Sequence, residues 1–404
     1  MAVGRCDFPI MPEIPGIRLG TVCAGIKRNI RDDLLVFEMA EHGSCAAVFT
    51  QNAFCAAPVQ VARKHLGAAP RWLLINSGNA NAGTGKQGLQ DALASCEQLA
   101  DLTGGSVEQV LPFSTGVIGM PLPIDKIRTA LPEAVRNLHP GNWDKAARAI
   151  MTTDTFPKGV TKTLEIEGRT ITFNGIAKGA GMIQPNMATM LSFIGTDAKI
   201  GRDLLQQCLA RAAELSFNRI TVDGDTSTND ALVVMASGLS EAPEILPDTE
   251  SYTRFADALL DVCKSLAEAI VRDGEGATKL IRIVVEEAQN DEEAVRVAKT
   301  IAHSPLVKTA FFASDPNWGR ILAAVGRAGV DNMVLENIRI FLDDVCIVRE
   351  GGRADDYTEE AGQQVMDREE IRVTVKLGRG EARQEVLTCD FSYDYVKINA
   401  EYRT

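Results

Sequence analysis

The sequence predicts a mixed α/β fold. Short runs rich in aliphatic and β-branched residues alternate with stretches of helical periodicity throughout the chain. A strand–turn–strand pattern flanks Glu167-Gly168. The length of 404 residues and the apolar fraction of 45% are enough for a large core divided over two or three domains.

Taken in chain order, Arg71 to Asn76 reads as a buried strand, and GNANAGTGK after it as a loop. Lys86 to Leu102 carries Leu89, Leu93, Cys96 and Leu99 near helical spacing and ends at Gly104 and Gly105. Val160 to Ile166 and Arg169 to Phe173 form a hairpin whose exit leads into a glycine-rich segment. Asp203 to Leu215, Tyr252 to Val271 and Asp291 to Ala302 are helical by pattern, and Leu280 to Val285 is a strand. Ile371 to Leu377 and Glu381 to Thr388 alternate around Gly378-Arg379-Gly380 as a second expected hairpin. A domain boundary falls between Ala277 and Val285, giving domains of 1–280 and 281–404. No repeat or low-complexity segment is visible.

Composition narrows the function. A net charge of −12 argues against nucleic acid or an anionic membrane as partner, since both demand a basic surface. Nine cysteines without a C-x-x-C pair fit reduced thiols better than a disulfide framework. With no signal-like start and no membrane-length apolar run, the expected location is the cytoplasm. The four histidines show no metal-ligand spacing and no G-x-S-x-G elbow, so neither a metal site nor a histidine-based triad is expected.

Three segments imitate functional motifs. In GNANAGTGKQG, Lys86 is followed by Gln87 and Ala80 stands where a phosphate loop opens with glycine, so a nucleotide site is not expected. DGDTSTND, Asp223 to Asp230, lacks the glycine and distant glutamate of a calcium loop and reads as an ordered hydrogen-bonded turn. DPNWGR reads as a helix start with Trp318 in the core.

The stretch AKGAGMIQPNMATML, Ala177 to Leu191, has the chemistry of a chain that cuts itself between Ala188 and Thr189. Once that bond opens, Thr189 carries a hydroxyl and a free α-amine whose reference pKa is about 7.7–8.0, a nucleophile with its own base. Gly179 and Gly181 permit the backbone angles that attack on the Ala188 carbonyl needs, and Pro185 restricts Gln184. On residue types alone the plainer reading is a buried strand or helix start behind a glycine-rich turn.

The same stretch, together with STGVIG (Ser114 to Gly119), TTDT (Thr152 to Thr155), DGEGATK (Asp273 to Lys279), DPNWGR and the tail YVKINAEYRT, resembles the ornithine acetyltransferase family of arginine biosynthesis over nearly the whole chain. The resemblance implies two stacked sheets flanked by helices, an αββα N-terminal-nucleophile architecture, with a smaller C-terminal α/β domain whose tail returns to the active site. It implies processed chains 1–188 and 189–404 assembled as an α2β2 heterotetramer. Carried over residue by residue, it makes Thr189 the nucleophile and puts the oxyanion hole at Thr115 and Gly116. It places Thr152, Lys178, Thr189, Glu275, Asn399 and Thr404 around the amino-acid ligand. The implied reaction moves acetyl from N2-acetylornithine to glutamate without a required cofactor. Some members also take acetyl-CoA as donor, a use this sequence leaves open. Two alternatives stand beside it: an aminopeptidase or amidase using the same threonine, and a non-catalytic amino-acid-binding protein that kept the fold.

Overall fold

The computed structural model describes residues 3–4, 7–28, 30–184 and 190–401. The chain forms two compact units, one of Asp7–Asn218 with Asp225–Ile270, the other of Met1–Cys6, Arg219–Gly224 and Val271–Thr404.

The first unit contains β1 (Ile17–Val22), β2 (Leu34–Met39), β3 (Ser44–Phe49), α1 (Ala57–His65), β4 (Trp72–Asn79), α2 (Gly85–Thr103), β5 (Val110–Val117), α3 (Ile124–Arg136), α4 (Trp143–Ile150), β6 (Lys158–Ile166), β7 (Arg169–Lys178), β8 (Leu191–Thr196), α5 (Arg202–Glu214), β9 (Ala231–Ala236) and nearly all of α6 (Glu250–Arg272). Its strands make a four-stranded sheet, β1-β2-β4-β5, and a five-stranded sheet, β3-β9-β8-β7-β6.

Strand periodicity explains how the sheets stack. Successive side chains point to opposite faces, so Leu35, Phe37, Leu73, Ile75, Leu111 and Phe113 of the first sheet share one core with Cys45, Ala47, Ile176, Phe193, Val233 and Met235 of the second. The alternate residues Leu34, Val36, Trp72, Leu74 and Val110 pack outward on Cys96 and Leu99 of α2 and Leu131 and Ala134 of α3. On the far side, Phe173 meets Phe255 of α6 at 5.2 Å, and Gly175 leaves room for Val262 and Leu266. The layers are therefore helix, sheet, sheet, helix, as the motif resemblance implied. α4 adds Trp143, Ala146, Ala147 and Ile150 to the central core. The edge strand β3 is not left open: the Gln206 side-chain amide of α5 accepts from the Ala47 N–H and donates to the Ala47 carbonyl, both at 3.1 Å.

The second unit holds β10 (Leu280–Ala288), α7 (Asp291–Ala302), α8 (Pro305–Phe312), α9 (Trp318–Gly326), β11 (Arg339–Leu342), β12 (Val345–Arg349), β13 (Gly352–Arg353), α10 (Glu359–Met366), β14 (Glu370–Lys376), β15 (Ala382–Cys389) and α11 (Tyr393–Glu401). Asn290 caps α7 by accepting the Glu293 N–H at 2.9 Å, and Asp291, Glu292 and Glu293 complement its N-terminal dipole. Trp318 opens α9 half-buried against the unit's core.

One expectation is corrected here. Ile371–Leu377 and Glu381–Thr388 are both strands but not a hairpin: the sheet order is β13-β12-β11-β14-β10-β15, with β10 between them, parallel to β14 and antiparallel to β15. The connecting loop straddles the end of β10, where the Leu377 N–H donates to Glu286 O and the Arg379 and Gly380 N–H groups donate to Glu287 O. A strand as apolar as β10 gains more from a central position than the short loop gains from a tight turn. The chain makes its last passage between the units at 270/271, near the end of α6.

Phe193 joins the sheets through Phe37 at 5.6 Å and Phe113 at 5.3 Å. Phe193→Ala is expected to cost about 3–5 kcal/mol of stability, and Phe193→Leu clearly less; urea unfolding midpoints of the two variants measure the difference.

Candidate functional site

The STGVIG segment forms the end of β5, parallel to β4, with Gly116 opposite Gly78 and the register shifting at Asn79. Gly116 has φ 134°, and a Cβ there would run into the backbone of Gly78 and Asn79. Glycine is thus demanded by the approach of two strands. Thr115 is buried and Gly116 half-buried.

A lattice of buried amides fixes this strand end. Ser114 Oγ donates to Asn76 Oδ1 at 2.5 Å, and Asn76 Nδ2 donates to Asn79 O at 2.9 Å. Asn229 Nδ2 reaches from the other sheet to Ala80 O at 2.6 Å and Ser114 O at 2.9 Å. Thr228 Oγ1 donates to Asn229 Oδ1 at 2.6 Å. The DGDTSTND segment is therefore an ordered turn whose last residues bolt the two sheets together beside Thr115. In the GNANAGTGK loop, Asn81 Nδ2 donates to Gly88 O at 2.9 Å and Asn81 Oδ1 accepts the Thr84 hydroxyl at 2.8 Å, tying the loop to α2.

Thr152 lies in the loop that follows α4. Its N–H donates to Asp154 Oδ2 at 2.9 Å, while Asp154 Oδ1 accepts Lys158 Nζ at 2.6 Å and the Gly179 N–H at 2.7 Å. Lys178 is the last residue of β7, opposite Leu191, and the strand period puts it on the same face as Ile176, toward the space between the sheets. Arg31 Nη2 donates to Thr152 O at 3.0 Å, and Lys27 Nζ donates to Ala149 O at 2.9 Å. The Lys27 loop is held by Asp33, whose carboxylate accepts the N–H groups of Ala24, Ile26 and Lys27 at 2.6, 2.6 and 2.9 Å. Lys27 also lies against Gly78 and so connects the end of β4 with α4.

These groups perturb one another. Burial, then Arg31, pushes the Lys27 ammonium down to about 7, against the opposing pull of Asp33 and Asp154. Burial would raise Asp154, yet Lys158, Lys178 and the Gly179 N–H outweigh it and hold that carboxyl well below its ordinary value. Asp230 goes the other way. Its burial dominates the hydrogen bond from Ser227 and the attraction of Lys178, so its pKa lies well above the usual range. Its Oδ2 is buried without a hydrogen-bond partner among the described residues.

In the second unit, Asn399 Nδ2 of α11 donates to Glu275 Oε2 at 2.9 Å. The glutamate's loop is pinned by Asp390, which accepts Thr278 N–H at 2.8 Å, Thr278 Oγ1 at 2.5 Å and Lys279 N–H at 2.9 Å, and by Ser392 Oγ donating to Gly276 O at 2.6 Å. Buried Lys308 donates to Thr388 Oγ1 at 2.8 Å and to Cys389 O, and lies over the Phe391 ring that stacks on Tyr395 of α11. The last helix is thus docked within its own unit.

Of the residues expected at the site, Thr115, Gly116, Thr152 and Lys178 fall at linked strand and loop ends of the first unit, and Glu275 and Asn399 are bonded to each other in the second. Ala188, Thr189 and Thr404 lie outside the described residues. Sequence reasoning passed over Lys27, Arg31, Asp154, Lys158 and Asp230. Asp154 was inside a quoted motif, TTDT, but nothing local distinguishes it from a turn aspartate. Lys27 and Arg31 look like solvated loop cations until the fold brings them beside Thr152. Together these side chains make a cationic, partly desolvated cluster suited to a small molecule bearing a carboxylate.

A family model described as the ArgJ family matches residues 18–404. The chain belongs to the ArgJ family. It is 65% identical over 398 residues to the arginine biosynthesis bifunctional protein ArgJ of Methylococcus capsulatus, covering 98% of this chain and 97% of that one. Identity to the ArgJ of Pseudomonas fluorescens is 53% over 405 residues, covering 100% of both. Among solved structures, the arginine biosynthesis bifunctional protein ArgJ of Bacillus halodurans is 44% identical, with a TM-score of 0.51; the match covers 53% of this chain and 100% of that one.

The Lys27 shift gives a pH test. Its folded pKa is depressed, so carrying the buried charge costs stability below about 7. That cost fades as pH rises toward the unfolded value near 10.4. Lys27→Met should therefore differ most from the parent in thermal midpoint at pH 6, with the difference shifting in the parent's favour by pH 10.

Proposed function

We propose that the chain transfers acetyl from N2-acetylornithine to glutamate through an acetyl ester on Thr189, after cutting itself between Ala188 and Thr189. The carrying observation is membership of the ArgJ family over essentially the whole length, at 65% identity to one arginine biosynthesis protein. That membership supports a glutamate N-acetyltransferase and not an N-terminal-threonine aminopeptidase or amidase.

In the proposed cleavage the Thr189 hydroxyl attacks the Ala188 carbonyl, the acyl group moves from nitrogen to oxygen and so frees the Thr189 α-amine, and water then hydrolyses the ester to release the Ala188 carboxylate and restore the hydroxyl. The chains become 1–188 and 189–404. The Bacillus halodurans chain supports this reading: it is matched over 100% of its length by 53% of the present chain, the share that 189–404 makes up.

In the first half-reaction the α-amine takes the hydroxyl proton as Thr189 Oγ attacks the acetyl carbonyl. Thr115 Oγ and the Gly116 N–H donate to the oxyanion, and ornithine leaves with the proton returned to its nitrogen. Glutamate's amine then attacks the ester, N-acetylglutamate leaves, and the hydroxyl is restored. One amide replaces another, so the exchange is close to balanced and consumes no nucleotide. Thr152, Lys178, Glu275, Asn399 and Thr404 are the proposed amino-acid contacts. Lys178 and the cations beside it suit carboxylates, and Glu275 suits an ammonium. Acetyl-CoA as a second donor to glutamate, assembly as an α2β2 heterotetramer and a cytoplasmic location belong to the same proposal.

Thr189→Ala should leave one uncut chain by mass spectrometry and no transfer of labelled acetyl from acetylornithine to glutamate. Thr115→Val should cleave and retain roughly 10⁻²–10⁻³ of parental turnover. Parallel initial-rate lines for the two substrates are expected of the parent. Acetyl release that ignores glutamate would indicate a hydrolase, and full activity in an uncut chain would refute the mechanism.

A further inference from the structure

We propose that Asp154 is a positioning residue of the amino-acid site, a buried carboxylate that clamps Thr152 and the Lys178–Gly179 peptide to one another. The inference rests on the reading that Thr152 and Lys178 contact the amino acid.

The two clamped segments belong to different elements. Thr152 follows α4, and Gly179 is the first residue beyond β7. Asp154 joins them with one oxygen each, Oδ2 to the Thr152 N–H at 2.9 Å and Oδ1 to the Gly179 N–H at 2.7 Å. Lys158 supplies the counter-charge at 2.6 Å, with both side chains of that pair wholly buried. If charge balance were the only task, the lysine would suffice. The geometry instead directs the carboxylate at the backbone of both segments, through charge-assisted bonds stronger than neutral ones. Gly179, at φ 149°, adopts an angle that side-chain-bearing residues rarely take and presents its N–H to the carboxylate. Lys178, one residue before, feels the same negative charge. Arg31 holds the opposite side of the Thr152 peptide, through its carbonyl. Asp154 therefore acts on a ligand only through its neighbours, and a binding constellation has to be held within about 0.5 Å of its productive geometry by such supporting bonds.

The test uses full-length Asp154→Asn beside the parent. Cleavage is read by mass spectrometry, ornithine affinity by calorimetry, and acetyl transfer by steady-state kinetics. Expected are a loss of ornithine affinity and a rise in both KM values of about tenfold or more, with kcat of the cleaved fraction within about threefold, because uniform binding has been removed. Made in a Lys178→Met background, the same substitution should cost at least about threefold less ornithine affinity than in the parent, since the Lys178 arm is already lost and only the Thr152 arm remains. Unchanged affinity, or an equal loss in both backgrounds, overturns the proposal in favour of a purely structural ion pair. Should Asp154→Asn fail to fold, Asp154→Glu keeps the charge but displaces it by one methylene. About a threefold rise in KM at held kcat then supports the clamp, and parental affinity overturns it. A parent that binds ornithine but transfers no acetyl sinks the acetyltransferase reading alone, because affinity still decides the clamp. A parent that binds no ornithine sinks both.

Discussion

Two sheets that share one apolar core leave no place for reactive groups between them. The inner faces of β2, β4, β5, β7, β8 and β9 are filled by Phe37, Phe113, Phe193 and aliphatic neighbours, and an unpaired polar group there would cost several kcal/mol, of order 2–7. Polar chemistry is pushed to the strand ends. β4 and β5 finish near the point where β9 starts, as the bonds from Asn229 to Ala80 and Ser114 require. β7 ends opposite the start of β8, with Lys178 paired to Leu191. Backbone geometry thus gathers the STG strand, the exit of β7 and the entry of β8 at one end of the sandwich before any side chain is considered.

At that end the side chains are held by backbone groups more than by each other. Asp33 spends its carboxylate on three N–H groups, Lys27 and Arg31 donate to carbonyls at 149 and 152, and Asp154 binds two further N–H groups. Such bonds fix loops that have little apolar surface of their own to bury, and they preset the site's geometry instead of leaving a ligand to order it. The cost appears as perturbed protonation: a lysine that ionises near neutrality and an aspartate that resists ionising.

How much of this the sequence revealed depended on the range of the interaction. Helices and strands were legible because their periodicity is local, and the hairpin around Glu167-Gly168 formed because both partners and the turn lie within one short segment. The insertion of β10 between β14 and β15 was hidden because it rests on pairing across roughly ninety residues of chain, which alternation around a GRG turn cannot encode. The face-to-face sheet packing was likewise inaccessible from patterns and came only through motif resemblance. Thr115, Gly116 and Lys178 entered the proposed site through motif resemblance, because each stands inside a short contiguous motif. Asp154 did not stand out, because its bond to Gly179 is made to a different element and no local pattern encodes it.

The contrast between Asp154 and Asp230 shows how the fold sets the sign of the site. Both are buried acids and both feel Lys178. Asp154 has a lysine 2.6 Å away and stays ionised. Among the described residues Asp230 has no ion pair as close and one oxygen without a partner, and it favours the neutral form. Were Asp230 also charged, it would cancel the ammonium of Lys178 and leave a ligand carboxylate little reason to enter. Keeping it neutral leaves Lys178, Arg31 and, below about pH 7, Lys27 against the Asp33 carboxylate, with Asp154 balanced by its own lysine, so that positive charge remains in excess. A chain with a net charge of −12 can in this way hold a local field of the opposite sign, by gathering cations around one buried acid that favours its neutral form.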